Sequence, residues 1–484
     1  MKVLVTGATG YIGGQLLPRL LDAGHNVTCM VRNASRPLPS VFKFVKVVQA
    51  DPLSPETLPA ALEGMEAAYY LIHSMSGAEH GFEERDRRAA YNFASAAKTA
   101  EVQRVIYLGG LITPGSIVSD HLKSRKETGA VLREVGPPLT EFRAGIIVGN
   151  GSISFEIIRT LTERLPVMIC PRWVVTRTQP IAVDDVVRYL VAALETPESV
   201  GQIIEIGGAT VETYRSMMLT YARERKLRRW MVRVPVLTPR LSSYWLDLVT
   251  PFPPSISRPL IEGLRSEAVC TSTKAREIFS SIHPMSYEEA LREALSRCGP
   301  ETFPVGELPA KAGHWTVRAQ GMICDIRQTI VAAPVEEVFH LLEGAGGRKG
   351  WFFGNMLWRL RGWLDRLVGG AGMSRGRVNM RALNEGDIID CWRVERVARN
   401  RMLLLRAELK LPGKAWLQFE LVPQAGGGTL LRSRAWFRPR GLFGEVYWYA
   451  LYPVHAYLFS GMMKAIKRAV ERARPVLPAI ARAQ

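Results

Sequence analysis

Cysteine is scarce in this chain, and its six cysteines are scattered over 484 residues, at positions 29, 170, 270, 298, 324 and 391. No two form a Cys-x-x-Cys pair and none are clustered, so the sequence indicates neither a zinc site nor a disulfide framework. Isolated cysteines of this kind are typical of reduced thiols in a cytoplasm. We therefore expect no bound metal.

The sequence also lacks an uninterrupted apolar run long enough to cross a membrane. The most apolar stretch, residues 441–463, is broken by Glu445, Pro453 and His455, whereas a span needs about 20 mostly apolar residues. We interpret it as a buried or interfacial helix. The first ten residues, MKVLVTGATG, lack the apolar stretch and cleavage site of a signal peptide. We expect a cytoplasmic protein.

Acidic residues are sparse in the last part of the chain. Residues 313–484 hold 27 Lys and Arg against 13 Asp and Glu, whereas residues 1–312 hold 36 against 32. Such a basic segment favours an anionic partner, which could be the inner face of a membrane or a phosphate-bearing ligand. Charge kept only for solubility is the alternative. Nucleic acid is a weaker candidate, because neither part shows a nucleic-acid-binding module.

A glycine-rich turn is what the chain does have at its start. MKVLV is typical of a short buried strand, TGATGYIG follows, and leucines at helical spacing come next, which together predict a strand, a turn and a helix. Gly7 permits the tight turn, Gly10 lets the backbone approach a pyrophosphate, and Gly13 allows close packing of helix on strand. The helix N-terminus supplies N–H donors to phosphates. The predicted contacts with the phosphates are Gly7, Thr9, Gly10, Tyr11, Ile12 and Gly13.

Arg32 stands at the end of the second predicted strand, NVTCMVRN. An acidic residue at this place binds the ribose 2′-hydroxyl of NAD(H), while a guanidinium forms charge-assisted hydrogen bonds with the 2′-phosphate of NADP(H). The arginine therefore favours NADP(H), with Arg36 as a second cation nearby. A solvated arginine without a ligand is the alternative.

Further strand-like runs alternate with helical patterns up to about residue 300, which predicts an α/β fold with a doubly wound parallel sheet. The landmarks TGATGYIG, VRN, QAD, YNFASAA, RVIYLGG and QPIAVDDV occur in an order that resembles the atypical and extended short-chain dehydrogenases/reductases, NmrA-like NAD(P)-binding proteins above all. The resemblance implies bound NADP(H), with Asp51 and Pro52 near the adenine. It places residues 71–74, including Leu71 and His73, along the nicotinamide ribose, and gives Asp184 and Asp185 a structural role.

The tyrosine and lysine that this family uses for proton transfer are missing. His121 takes the tyrosine position and Arg125 the lysine position, four residues later and on the same helix face. Gly109 and Gly110 replace the usual hydroxyl residues, although Thr113 and Ser116 are close. A histidine can act as a general acid while an arginine lowers its pKa and binds the ribose, and Lys126 is a further candidate. A cofactor held without turnover is the alternative.

A second domain is predicted after a Pro- and Gly-containing linker at residues 301–315. Residues 316–484 show alternating strand patterns, a helix near VEEVFHLLEG and a long closing helix from about Tyr447 to Arg472. The opening APVEEVF, the strands GDIIDCWRV and PGKAWLQFEL, and the helix YPVHAYLFSGM resemble the START-like SRPBCC superfamily. The resemblance implies an α+β helix-grip domain with a cavity for an apolar or lipid-like molecule. Its candidate polar groups are Asp387, Asp390, Arg393 and His455.

The segment 351–370 interleaves tryptophans with arginines. Trp351, Trp358 and Trp363 alternate there with Arg359, Arg361 and Arg366, a pattern suited either to a membrane interface or to a lid over the cavity. In the first domain, the resemblance to extended members implies a cap over the nicotinamide, with Tyr244, Trp245 and Phe252 as candidates for an apolar pocket wall. A simple packing role for these residues is the alternative. We thus expect an oxidoreductase acting on an apolar carbonyl or enone. The alternative is a non-catalytic NADP(H)-binding sensor or accessory protein.

Overall fold

The computed structural model describes residues 1–35, 38–73, 82–116, 119–233, 262–303, 309, 311–347, 350–373 and 382–473. The chain divides into two compact units, Met1–Cys298 and Gly299–Gln484. The second cation Arg36 and the pocket-wall candidates Tyr244, Trp245 and Phe252 lie outside the described residues. So do most of residues 376–383, GRVNMRAL, whose alternating pattern also predicts a strand.

The first unit is built from parallel strands separated by helices. Its strands are β1 (Lys2–Thr6), β2 (Asn26–Val31), β3 (Lys46–Gln49), β4 (Ala67–Tyr70), β5 (Arg104–Gly110), β6 (Leu139–Ala144), β7 (Ile147–Val148), β8 (Val167–Cys170), β9 (Arg177–Thr178), β10 (Ile181–Ala182), β11 (Ile203–Ile206), β12 (Glu212–Thr213) and β13 (Trp230–Arg233). Its helices are α1 (Tyr11–Asp22), α2 (Leu58–Leu62), α3 (Phe82–Thr99), α4 (Asp120–Val135), α5 (Ile153–Arg164), α6 (Val183–Ala192), α7 (Tyr214–Glu224), α8 (Lys274–Ile278) and α9 (Tyr287–Ser296).

Seven of these strands form one parallel sheet in the order β11-β6-β5-β4-β1-β2-β3. Alternate residues of β1 point to opposite faces, as a strand requires. Val3 and Val5 join the core that includes α1 and α6, while Leu4 joins the core that includes α3 and α4. Both faces are therefore covered by helices, which confirms the predicted α/β doubly wound sheet.

The strand order also locates the ligand crevice. From β1 the chain adds β2 and β3 on one side and then crosses to β4 on the other, so the order reverses between β1 and β4. In open parallel sheets, ligands bind beyond the carboxyl ends of the strands at such a reversal. The residues that follow β1 and β4 are the glycine turn and the segment that starts at Leu71.

The second unit combines an antiparallel sheet with helices. Its strands are β14 (Gly313–Ala319), β15 (Met322–Val331), β16 (Ile388–Ile389), β17 (Trp392–Ala398), β18 (Met402–Ala407), β19 (Gly413–Pro423) and β20 (Thr429–Pro439), and its helices are α10 (Val335–Glu343), α11 (Asn355–Leu367) and α12 (Gly441–Ala473). The sheet order is β14-β15-β20-β19-β18-β17-β16, and α12 packs on β15 and β20. This confirms an α+β class for the second unit.

Two element boundaries differ from the sequence expectation. The strand β14 begins at Gly313, inside the segment expected to be a linker, and α12 begins at Gly441, six residues before Tyr447. Within the described part of the chain, no helix is both long enough and apolar enough to cross a membrane.

Candidate functional site

The glycine turn between β1 and α1 has the geometry of a phosphate cradle. Gly7 has a φ of 66°, and a Cβ built on it would lie 2.6 Å from the Leu71 carbonyl oxygen. A Cβ on Gly13 would lie 2.3 Å from the Gly7 carbonyl oxygen, so both positions need glycine. Helix α1 has neither a side-chain cap nor an acidic residue in its first turn. Its first N–H groups therefore remain for an anion.

The other predicted residues of the turn contribute in different ways. Thr9 and Gly10 are exposed, and Gly10 N–H donates to the Gly7 carbonyl at 2.9 Å, which closes the turn. The Tyr11 hydroxyl is buried, has no hydrogen-bond partner among the described residues, and lies against Gly149. The side chain of Tyr11 therefore packs inside the unit. The backbone N–H groups of Tyr11 and Ile12 belong to the first turn of α1 and are the groups of these two residues that could bind a phosphate.

The predicted adenine end of the site is open to solvent on one side. Arg32 follows β2 and is exposed, and no carboxylate within the described residues pairs with it. Asp51 follows β3 and holds its own loop, since Oδ1 accepts from the Leu53 N–H at 2.9 Å. The Pro52 carbonyl accepts from Asn92 Nδ2 at 2.7 Å, so α3 anchors this loop.

At the end of β4 the chain passes directly beside the glycine turn. Thr6 donates its hydroxyl to the Tyr69 carbonyl at 2.9 Å and accepts from the Leu71 N–H at 3.1 Å, which ties β1 to β4 at the crevice. His73 lies two residues further. The predicted nicotinamide end is thus built from residues that touch the phosphate turn.

His73, His121 and Asp86 form a hydrogen-bonded relay at this edge of the sheet. His73 Nδ1 lies 3.3 Å from Asp86 Oδ2, and His73 Nε2 lies 3.1 Å from His121 Nδ1. The two rings have centroids 4.7 Å apart. Ser124, on α4, lies 3.4 Å from the same carboxylate. The end of β4, the start of α3 and the start of α4 each supply one member of this Asp86–His73–His121 relay.

Burial keeps both imidazoles of the relay neutral. Desolvation, His73 and Arg125 together lower the pKa of His121 to about 3. Desolvation also lowers the pKa of His73, against the hydrogen bond that His73 donates to Asp86, which raises it. A carboxylate accepts from His73 Nδ1–H, so His73 Nε2 must accept from His121 Nδ1–H. Neutral His121 then presents the lone pair of Nε2, which is the nitrogen outside the relay.

Arg125 is held by the protein rather than extended into the crevice. Its guanidinium donates to the Leu108 carbonyl and lies 5.5 Å from the centroid of the Tyr107 ring. The Tyr107 hydroxyl in turn donates to the Arg125 carbonyl at 2.9 Å. Arg125 therefore contributes positive charge near the relay. Lys126, one position further along α4, is exposed and is not brought together with His121.

Thr113, one of the two hydroxyl candidates, is engaged elsewhere. Thr113 Oγ1 accepts from the Val269 N–H at 3.0 Å and lies 3.2 Å from the Val269 carbonyl. Gly109 and Gly110 end β5 without side chains. The described residues thus bring together one acid and two histidines here, in place of the serine, tyrosine and lysine of the resembling family.

Comparison with known proteins agrees with this geometry. A family model described as NAD(P)H-binding matches residues 7–134, a range that contains the glycine turn and the whole relay. The first unit carries an NAD(P)H-binding Rossmann domain. A second family model, described as a protein of unknown function (DUF2867), matches residues 321–462. The relation of this second region to the SRPBCC superfamily stays a prediction.

Curated relatives match only part of this chain. The photosystem II assembly factor Ycf39 of Cyanophora paradoxa is 25% identical over 43% of this chain and 64% of its own length. A 3 beta-hydroxysteroid dehydrogenase/Delta 5-->4-isomerase of Mycobacterium tuberculosis is 33% identical over 22% of this chain and 30% of its own length. The chain therefore spans less than two thirds of either relative.

Among solved structures, the NADPH-dependent quinone oxidoreductase QOR2 of Escherichia coli, complexed with NADPH, superposes with a TM-score of 0.50 at 18% identity. It covers 60% of this chain and 99% of its own. At this identity, the likeness shows the fold alone.

The polar candidates of the second unit do not converge on one point. Asp390 is buried and accepts from Trp351 Nε1 at 2.9 Å and from the Gly347 N–H at 3.1 Å. Arg393 pairs with Glu408 at 2.5 Å, and Asp387 accepts from the Asn384 N–H at 2.9 Å. Burial lowers the pKa of His455 to about 4. Asp387, Asp390 and Arg393 thus have separate structural partners, whereas His455 Nδ1 is buried without a hydrogen-bond partner among the described residues.

Sequence reasoning missed Asp86 and Ser124. Asp86 is only 5% exposed and lies on the face of α3 that also buries Ala90, Phe93 and Ala97. An acidic residue at an apolar helical position was the available signal, because a buried carboxylate needs hydrogen-bond donors. Asp185 shows the structural role expected of its motif, since Oδ2 accepts from the Met285 N–H at 2.8 Å.

Proposed function

We propose that this protein is an NADP(H)-dependent oxidoreductase that moves a substrate proton through the Asp86–His73–His121 relay. The observation that carries the proposal is the position of the relay, which begins two residues after Leu71, where β4 meets the phosphate turn. The bound nicotinamide supplies or accepts a hydride. The substrate class is an apolar carbonyl or enone, or the corresponding alcohol.

The chain's own residues would handle the proton as follows. Neutral His121 accepts a hydroxyl proton at Nε2, and its Nδ1–H donates to His73 Nε2, while Asp86 holds His73 in the required tautomer. An anionic oxygen next to Nε2 would raise the pKa of His121 and so promote this transfer. In the reductive direction His121 must first take up a proton at Nε2 from solvent, and it then donates this proton to the substrate oxygen.

Turnover tests this proposal directly. NADPH consumption is followed by its absorbance with quinones and enones, and NADP⁺ reduction with apolar alcohols. We expect His121→Asn and Asp86→Asn to lower kcat by about 10²-fold or more while the NADPH dissociation constant stays within about twofold. Lys126→Gln, one position away and exposed, is the control. Unchanged turnover in His121→Asn would remove the relay from the reaction.

The choice of NADP(H) over NAD(H) rests on Arg32. Its exposed guanidinium has no acidic partner among the described residues and follows the strand next to β1. We expect Arg32→Ser to weaken NADPH binding by about tenfold or more, because a charge-assisted contact is lost, and to leave NADH binding nearly unchanged. Isothermal titration calorimetry with NADPH and with NADH measures the two affinities. Equal losses for both would contradict a 2′-phosphate contact.

A non-catalytic function has one specific observation in its favour. The similarity to the Ycf39 assembly factor extends over 43% of this chain, and the tyrosine and lysine of the reductases are absent. Under this alternative, NADP(H) is a structural or sensing ligand of an accessory protein. Two results would favour it. NADPH would stay bound and unconsumed with every substrate, and His121→Asn would give the same result as the wild type in the same assays.

For the whole protein we propose a reducing, cytoplasmic location.

For the second unit we propose an apolar, lipid-like ligand inside the helix-covered antiparallel sheet. The indole N–H groups of Trp358 and Trp392 are buried without an acceptor among the described residues, and the two rings lie 6.4 Å apart. A ligand carrying one polar oxygen would satisfy them. Native mass spectrometry of the purified full chain tests this through a bound mass that organic extraction removes.

A further inference from the structure

Helix α11 exposes an apolar face instead of burying it. Met356 is 79% exposed, Leu360 49%, Trp363 56%, Leu364 45% and Leu367 63%. At 3.6 residues per turn these five positions fall within an arc of about 100°. Isolated apolar side chains on a surface are ordinary, but a continuous helical stripe marks an interaction surface. The stripe formed by these five residues is called the α11 stripe below.

The opposite face of α11 attaches the helix to the unit. Trp358 and Asp365 are buried, and they lie on the other side of the helix from the stripe. Asp365 Oδ1 accepts from the Lys410 N–H at 2.7 Å, and Oδ2 accepts from the Gly372 N–H at 2.9 Å. Trp358 packs beside Trp351 and Trp392. The helix is therefore fixed in place, and the stripe is held outward before any partner arrives.

Exposed cations line one edge of the stripe. Arg359 and Arg366 are exposed there, while Arg361, beyond the other edge, is half-buried. The charge of Arg361 acts on His455 and on buried Cys391. The single acid of the helix, Asp365, is buried. The wider segment from residue 313 onward has 27 basic against 13 acidic residues. An apolar strip bordered by arginines within a basic segment matches acyl chains below a layer of anionic headgroups.

Aromatic groups extend the surface at the start of the helix. Tyr457 of α12 is 61% exposed and its ring lies 5.1 Å from that of Phe353, just before α11. With Trp363 on the stripe, tyrosine and tryptophan both lie on this face, as they do at membrane interfaces. Of the three tryptophans in the segment, Trp351 and Trp358 belong to the core, so Trp363 alone is an outward anchor.

We propose that the α11 stripe lies flat in the surface of an anionic lipid bilayer, with Arg359 and Arg366 at the headgroup phosphates. A helix of 13 residues is about 20 Å long, which suits a surface-parallel position and is too short for a span. The inference does not depend on turnover, because the stripe belongs to a different unit from the relay.

Vesicle cosedimentation of the full chain tests the proposal. We expect binding to vesicles of phosphatidylcholine with phosphatidylglycerol, weak binding to phosphatidylcholine alone, and loss of binding in high salt. Trp363→Ser should weaken the partition by about tenfold. Arg359→Gln and Arg366→Gln should each weaken it by about fivefold, only on anionic vesicles. Trp230→Ser, also an exposed tryptophan at 62%, is the matched control.

Each outcome decides for or against the bilayer. Circular dichroism of each variant shows that it is folded, and an unchanged NADPH affinity shows that the cofactor unit is intact, as expected for exposed residues of the other unit. Equal binding to neutral and anionic vesicles, or full binding by Leu360→Ser/Trp363→Ser/Leu367→Ser, would overturn the proposal. A stripe that instead joins two copies of this chain would show as a dimer that the triple variant converts to a monomer, with no lipid binding.

Discussion

A histidine in the position of the family's tyrosine changes the ionisation that the site must start from. A protonated tyrosine begins as a proton donor, whereas neutral His121 begins as a proton acceptor at Nε2. Burial, His73 and Arg125 keep it neutral by lowering its pKa to about 3. Asp86 and His73 then decide which nitrogen of His121 carries the hydrogen. At the residue scale, the site therefore depends on buried charges around one imidazole.

Arg125→Gln should raise the pKa of His121. The guanidinium is one of the groups that lower this pKa, and its removal leaves desolvation and His73 still acting, so the new value stays below 6.5. Side-chain NMR of the histidines across a pH series measures the change. Lys126→Gln removes the same charge from an exposed neighbour and should leave the His121 resonances in place. A lowered or unchanged pKa in Arg125→Gln would contradict the charge argument.

At the scale of elements, the packing of α1 on β1 decides whether a phosphate can be held. Gly13 and Gly14 are adjacent in α1, yet a Cβ on Gly13 would lie 2.3 Å from the Gly7 carbonyl oxygen, while one on Gly14 would meet nothing nearer than 3.9 Å. Both have helical backbones. They differ in what faces them, which is the turn itself in the case of Gly13.

Gly13→Ala should therefore lower the free energy of unfolding by about 1–3 kcal/mol and weaken NADPH binding, because the backbone of the turn must move. Gly14→Ala should leave the fold unchanged or stabilise it by up to about 1 kcal/mol, since alanine is the better helix former. Urea denaturation and NADPH titration of the two variants measure both effects. Equal behaviour of the two variants would contradict a close approach at Gly13.

At the scale of the whole molecule, a largely buried, neutral histidine makes the stability of the second unit sensitive to acid. His455 of α12 is held neutral by burial, with its pKa lowered to about 4, between the rings of Trp448 and Phe459. The unfolded chain binds this proton near pH 6.5. The contribution of neutral His455 to the free energy of unfolding is thus fully present above pH 6.5. It is lost progressively as the pH falls toward 4.

His455→Leu should remove this part of the acid sensitivity of the second unit, which is of the order of 3 kcal/mol over the interval. Urea denaturation of the full chain at a series of pH values from neutral to 4 measures it. His340, exposed on α10, provides the matched control His340→Leu, in which the wild-type pH dependence should persist. If His455→Leu loses stability with acid as steeply as wild type, His455 is not the group responsible.

Much of the architecture could be predicted because its signals are local. The strand, turn and helix at the start of the chain are specified by neighbouring residues, and the structure has β1, the turn and α1 in that order. Asp86 escaped notice because its partners come from β4 and α4, 13 and 38 residues away along the chain. The tryptophan and arginine pattern of residues 351–370 left a membrane interface and a lid as alternatives, because the apolar residues of α11 point both inward and outward.

By itself the sequence determined the parallel α/β class of the first unit, the antiparallel sheet of the second, and the glycine turn, since these follow from hydrophobic periodicity and backbone freedom along short stretches. Only the tertiary structure decided that His73 and His121 meet, and that Trp358 is buried while Trp363 faces outward. Contacts between distant segments and the choice between two apolar helix faces depend on how elements pack, which no short stretch specifies.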